Sequence, residues 1–140
     1  PSGMAELLKQ LNKKLSILLA EDNPLNQRLA QINIERLGHQ LTMAANGQEA
    51  LEMVINDFEN NNMASSSYDL ILMDCNMPVM DGYTATAAIR SIPGYENIPI
   101  FALTADATTE SKVRAKKVGF TGHLSKPIRV EDLMNALNHM

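Results

Sequence analysis

Five side chains able to carry charge or react stand where apolar runs stop. Glu21 and Asp22 follow "KLSILLA", Asp74 follows "YDLILM", Thr104 closes "IPIFALT", and Lys126 follows "GFTGHLS". Three carboxylates gathered in one cleft repel and desolvate one another, so one must stay protonated or a cation must bind among them. Oxygen ligands favour a hard ion, and a small set with room for water favours Mg²⁺ over Ca²⁺. A carboxylate beside such an ion, a hydroxyl and an ammonium suits phosphoryl transfer. The cations neutralise charge on the equatorial oxygens and the hydroxyl donates to one of them. An aspartate there can itself be the nucleophile and form an acyl phosphate.

The elements that would bring these residues together follow from two alternating periods. "KLSILLA", "YDLILM" and "IPIFALT" are short continuous apolar runs, the pattern of buried strands. "HQLTMA" alternates like a half-exposed edge strand, and "GFTGHLS" reads as a more polar final strand. Asn23-Pro24 supplies a capping side chain and then a proline at the first helical position. Leu25, Leu29 and Ile32 follow at helical spacing, and Gly38 is a stop signal. Ala50, Leu51, Val54, Ile55 and Phe58 make an apolar helix stripe. Further helices are expected over 83–90, 109–118 and 130–138, the last with Leu133, Ala136, Leu137 and Met140 on one face.

Strand and helix alternate five times, which predicts a parallel α/β sheet covered on both faces. In such sheets ligands bind at the carboxyl ends of the strands, where strand order reverses. All five side chains stand at that end, and they meet in one cleft if the first and third strands are neighbours.

Composition narrows the classes. At 140 residues, 45% hydrophobic and 20% charged, the chain has the size and balance of one globular domain. A net charge of −4 speaks against nucleic-acid binding. One cysteine, Cys75, excludes an internal disulfide and a multi-cysteine zinc site, and fits a reducing compartment. No apolar run approaches the roughly 20 residues of a membrane span. These features suggest a cytoplasmic domain without direct membrane contact, standing alone or as the cytoplasmic part of a membrane-anchored kinase. Residues 1–13 read as a tag remnant and a linker helix, and 14–140 as the domain.

"ILLAEDNPLNQ", "LILMDCNMPVMDG", "FALTADA" and "LSKPI" together resemble the signature blocks of the receiver (response-regulator) domain of two-component phosphorelays, in order and in the corresponding elements. The first two blocks are most similar to receivers of hybrid sensor histidine kinases. The resemblance covers about residues 14–140. It implies a flavodoxin-like (βα)5 fold with strand order 2-1-3-4-5. Asp74 becomes the phosphoacceptor, and Glu21, Asp22, Asp74 and the backbone carbonyl of Asn76 the Mg²⁺ site, where Mn²⁺ can substitute. Thr104 becomes the switch hydroxyl and Lys126 the phosphoryl contact, with a cis Lys126–Pro127 bond. The implied partner is a histidine kinase or a histidine phosphotransfer domain, with the domain itself a monomer or weak homodimer.

Two features depart from the family pattern. The position three residues before the lysine, usually Tyr or Phe, is His123, which puts an imidazole where the aromatic switch would be. The loop over residues 60–67 is longer than the family minimum and is expected at the sheet's amino end.

Plainer readings stand beside these roles. Glu21 and Asp22 are also acids that favour a helix start. Asp81-Gly82 reads as turn and cap, Met77, Pro78 and Met80 as loop packing, and the methionines at large as core. Cys75 reads as a buried filler, since no basic neighbour is evident to activate it. His39 and His139 are expected in solvent. Two other functions compete: a phosphorylation-independent docking module and an aspartate-nucleophile phosphohydrolase. The latter wants a D-x-D pair after the first strand, where this chain has "EDN". An all-helical phosphotransfer domain is excluded by the alternation. Kinase activity in this chain is excluded by the lack of an ATP-binding glycine-rich block.

Overall fold

The computed structural model describes residues 14–61, 66–105 and 108–138. The expected tag remnant and linker helix (1–13), the middle of the 60–67 loop, Asp106 and Ala107 of the "FALTADA" block, His139 and Met140 lie outside those residues.

Five strands alternate with five helices: β1 (Ser16–Ala20), α1 (Pro24–Arg36), β2 (Gln40–Ala44), α2 (Gly47–Asn60), β3 (Leu70–Asp74), α3 (Gly82–Arg90), β4 (Ile100–Thr104), α4 (Thr109–Val118), β5 (Gly122–Ser125) and α5 (Val130–Asn138). The strands form one parallel sheet in the order β2-β1-β3-β4-β5, with every pairing parallel. This is the doubly wound arrangement expected from the alternation.

Strand residues alternate between two cores. Leu18, Ala20, Ile71, Met73 and Ala102 face Ala50 and Val54 of α2, Ala85 and Ile89 of α3 and Ala115 of α4. Ile17, Leu19, Leu70, Leu72 and Leu103 face Ala30 and Ile34 of α1 and Leu133 and Ala136 of α5. Because both faces are covered, β3 is buried at all five positions, which is why it reads as an unbroken apolar run.

Side-chain caps start four helices. Asn23 accepts from the backbone N–H groups of Leu25 and Asn26, Asn46 from that of Glu49, Asp81 from that of Thr84 and Thr108 from that of Ser111. Each satisfies backbone donors that a helix's first turn leaves open. Asp81 is therefore the expected cap. α4 ends on Gly119 at φ 109°, a left-handed position that favours a residue without Cβ.

Three expectations about faces are corrected. Leu25, Leu29 and Ile32 do not face the core; they are exposed, Leu25 at 67%. The inward side of α1 carries Ala30 and Ile34 among polar residues whose hydrogen bonds replace apolar burial, a pattern that hides the buried face from a hydrophobicity reading. Ile55 of α2 is likewise exposed, so that stripe narrows to Ala50 and Val54, flanked by half-buried Leu51 and Phe58. His39 is buried rather than solvated, and its Nδ1 accepts the Leu15 backbone N–H at 3.1 Å. A backbone N–H can only donate, so this nitrogen is unprotonated and burial pushes the imidazole's pKa down.

Candidate functional site

Sheet register alone brings the acids together. Ala20 pairs with Met73, so one residue further along each strand Glu21 stands opposite Asp74. The Glu21 backbone N–H donates to the Ala44 carbonyl at 3.0 Å, which extends the ladder to the carboxylate. Gln27 of α1 donates to the Glu21 carbonyl at 2.6 Å, and the Asp22 backbone N–H donates to Glu21 Oε2 at 3.0 Å. On the other side, Thr104 pairs with Ser125, and the Lys126 backbone N–H donates to the Thr104 carbonyl at 3.0 Å. The Lys126–Pro127 bond is cis.

Asp74 is fully buried at the floor of the cleft. Its Oδ1 accepts the Asn76 backbone N–H at 3.1 Å, and its Oδ2 accepts from Lys126 Nζ at 2.6 Å. Lys126 Nζ also stands 3.6 Å from Glu21 Oε1. One carboxylate of each of Glu21, Asp22 and Asp74 offers an oxygen within 4.8 Å of the others. Glu21 and Asp74 are buried, whereas Asp22 is exposed at the cleft mouth.

One ammonium does not balance this charge. Burial pushes the Glu21 carboxyl up to about 7, and the hydrogen bond and charge of neighbouring Asp74 push the same way. Asn26 and Lys126 draw it only part of the way back. Burial pulls Lys126 down, but its bond to Asp74 and the charges of Asp74 and Glu21 outweigh that and hold it up. Glu21 Oε1 is a buried oxygen that accepts no hydrogen bond. An orphaned carboxylate oxygen beside two other acids fits a hard divalent cation. Behind the acids α1 closes the cleft, leaving a void of about 10 Å³ lined by Glu21, Asn26, Ala30, Lys126 and Ile128, room for about one water.

Of the residues singled out from sequence, Glu21, Asp22, Asp74 and Lys126 converge in contact. Thr104 lies at the adjacent strand end, nearly buried, and Asn76 is in the loop beside Asp74. His123 is apart from the carboxylates. It is exposed on edge strand β5, pairs with Ala102, and borders a small void it shares with Thr104, Cys75, Tyr83 and Ser111. Cys75 is buried beneath Tyr83, and burial raises its pKa, the condition of an unreactive filler.

The steric role of two glycines is not legible in the sequence. A Cβ on Gly82 would collide with the Asp74 carbonyl oxygen, and the Gly82 N–H donates to the Cys75 carbonyl at 3.1 Å. Gly82 thus lets α3 start directly against the strand end that carries Asp74. A Cβ on Gly47 would lie 2.5 Å from the Met80 carbonyl oxygen, so α2 pins the same loop from the other side. "DG" was visible as a turn signal, but only the fold reveals what approaches it. Between them, Val79 adopts φ 70° while the Met80 N–H bonds the Pro78 carbonyl at 2.7 Å. That is a γ-turn in its rare positive-φ form, strained for a β-branched residue.

The profile of the response regulator receiver domain matches residues 17–138. Among curated proteins, the chain is 39% identical to the hybrid signal transduction protein dokA of Dictyostelium discoideum, over 94% of this chain and 7% of that protein. It is also 39% identical to histidine kinase 1 of Arabidopsis thaliana, over 81% of this chain and 12% of that protein. The chain therefore spans a small fraction of these relatives. Among solved structures, it superposes on the receiver domain of a Pseudomonas aeruginosa sensor histidine kinase with a TM-score of 0.78 at 35% identity, covering 91% of this chain and 97% of that one. That receiver holds a magnesium ion coordinated in its active-site cleft. Vibrio cholerae chemotaxis protein CheY4 superposes with a TM-score of 0.79 at 30% identity, covering 91% and 98%.

Proposed function

This chain belongs to the family of response regulator receiver domains, and on that premise we propose that Asp74 takes a phosphoryl group from the phosphohistidine of a histidine kinase or phosphotransfer domain. The observation that carries this reading is Lys126 Nζ at 2.6 Å from a fully buried Asp74 carboxylate, inside a trio of acids that one ammonium leaves under-compensated.

An Asp74 carboxylate oxygen attacks phosphorus as the phosphorus–nitrogen bond of the donor breaks. The imidazole leaves with the electron pair and takes up a proton, and Asp74 becomes an acyl phosphate. Lys126 transfers its contact from the carboxylate to a phosphoryl oxygen, and the Thr104 hydroxyl donates to another. Mg²⁺ held by Glu21, Asp22, Asp74 and the Asn76 carbonyl would neutralise charge on the transferred group, and Mn²⁺ would substitute. Thr104 and the residues after it then shift toward the phosphoryl group, with His123 on the neighbouring strand reporting the change at the surface.

The likeness to hybrid kinases supports a place within such a parent, in the cytoplasm. No described helix is long and apolar enough to cross a membrane. The domain works without nucleic acid or direct membrane contact, as a monomer or weak homodimer.

The test is incubation with Mg²⁺ and acetyl phosphate or phosphoramidate, followed by intact mass. A phosphate adduct on the wild type that is absent from Asp74→Asn is expected. An adduct that survives Asp74→Asn, or a folded wild type that takes no phosphate from any donor, overturns the reading; the second result favours a docking module.

A further inference from the structure

The acids and the lysine come from parts of the sheet that do not touch. Glu21 and Asp22 follow β1, Lys126 follows β5, and β3 and β4 lie between those strands. One helix reaches both. Gln27 Nε2 of α1 donates to the Glu21 carbonyl at 2.6 Å, and Asn33 Nδ2 donates to the Ile128 carbonyl at 3.1 Å. Ile128 lies two residues past Lys126, with its side chain buried against the same core as Ala30 and Ile34. On a helix, residues 26, 27, 30, 33 and 34 share an arc of roughly 120°, and 26 and 33 are two turns apart, about 10.5 Å. The inward arc of α1 is thus polar at both ends and apolar in the middle, and each polar end holds one side of the cleft.

We propose that α1 is the positioning element of the site, Asn33 acting on Lys126 through the Ile128 carbonyl and Gln27 acting on the acidic pair through the Glu21 carbonyl. The proposal rests on the phosphoacceptor reading of Asp74. Neither residue touches the reacting atoms; each fixes the backbone from which a reacting group projects. Lys126 must stay over Asp74 and still reach a phosphoryl oxygen, a placement that a small backbone shift degrades. The two amides serve different partners, so their loss has different signatures. Asn33 governs the lysine and hence the rate of transfer. Gln27 governs the acids and hence cation affinity.

The experiment pairs Mg²⁺ titration by calorimetry on the unphosphorylated chain with phosphorylation rates from phosphoramidate. Asn33→Leu is expected to lower the maximal rate roughly tenfold with Mg²⁺ affinity unchanged, and Asn33→Gln, which keeps a donor, to recover most of it. In a Lys126→Met background, Asn33→Leu is expected to add nothing. Gln27→Met is expected to weaken Mg²⁺ binding roughly tenfold while leaving the rate at saturating Mg²⁺ within about twofold. If Asn33→Leu does not fold, Asn33→Ser carries the same test. Equal changes in both quantities, or none in either, while the wild type is phosphorylated on Asp74 overturn the proposal alone. A wild type that takes no phosphate overturns the function and the Asn33 half with it, and the Mg²⁺ titration then decides the Gln27 half.

Discussion

The two ends of the sheet treat polar groups in opposite ways. At the amino end, Asp57 accepts from the Ser67 backbone N–H, Asn61 and the Tyr95 hydroxyl, and these bonds outweigh burial to hold its carboxyl below the usual range. Arg90 donates to the carbonyls of Gly119, Tyr95 and Ile98 and to the Thr121 hydroxyl. His39 pins Leu15, and Asp69 pins Ser16. At the carboxyl end, Glu21 and Asp74 share one lysine with exposed Asp22 beside them, and Glu21 is pushed up to about 7. One end pairs its polar groups with donors and acceptors around it; the other crowds acids beyond what one ammonium offsets. The same strands support both because polar side chains at the amino end meet backbone and hydroxyl partners, whereas the acids at the carboxyl end face one another.

The sharpest way to break the contrast is Gly82→Ala, which forces α3 off the strand end. It should cost about 4 kcal/mol in urea unfolding and slow phosphorylation as well, because Asp74 moves with its backbone. Next is Arg90→Met at the other end. Three carbonyls lose their donor, so a loss of about 3 kcal/mol is expected. Phosphorylation should nevertheless stay within about twofold, because the acids lie at the opposite end of the strands. A matching loss of activity would mean the ends are not independent.

Acid should act on the two ends with opposite sign. Glu21 is raised from 4.5 to about 7, so the metal-free fold binds the extra proton, and stability rises as pH falls from about 7 to 4.5. His39 is lowered from 6.5, so the fold resists its proton, and stability falls as pH drops below about 6.5. Unfolding at pH 7 and pH 5 should therefore show Glu21→Gln steepening the acid loss, by about 2 kcal/mol, and His39→Asn flattening it. Mg²⁺ favours the ionised carboxyl and should act like Glu21→Gln. The smallest effect is expected at Val79, 82% exposed. Val79→Asn relieves the left-handed strain and should stabilise by about 0.5–1 kcal/mol in thermal unfolding.

These ends were not equally legible in the sequence. The strands, their faces and the acids at their carboxyl ends could be read because apolar period and position specify them directly. Arg90, His39 and Asn33 could not, because each has a partner far along the chain, 29, 24 and 95 residues away, and no local pattern announces it. The inward face of α1 is hidden from an apolar pattern because Gln27 and Asn33 are satisfied by carbonyls outside the helix, at Glu21 and Ile128. Gly82 was half legible, as a turn signal whose steric purpose needs β3 beside it.

The order of the pieces along the chain has a consequence for how the domain is made. Lys126 follows Asp74 by 52 residues, and the Ile128 carbonyl that Asn33 holds follows it by 95. While the polypeptide is being synthesised, the first three strands and their clustered acids emerge well before the residue that offsets them. Until then the acids lack the ammonium that offsets them in the finished domain. The site therefore closes last in chain order, when β5 brings Lys126 against Asp74.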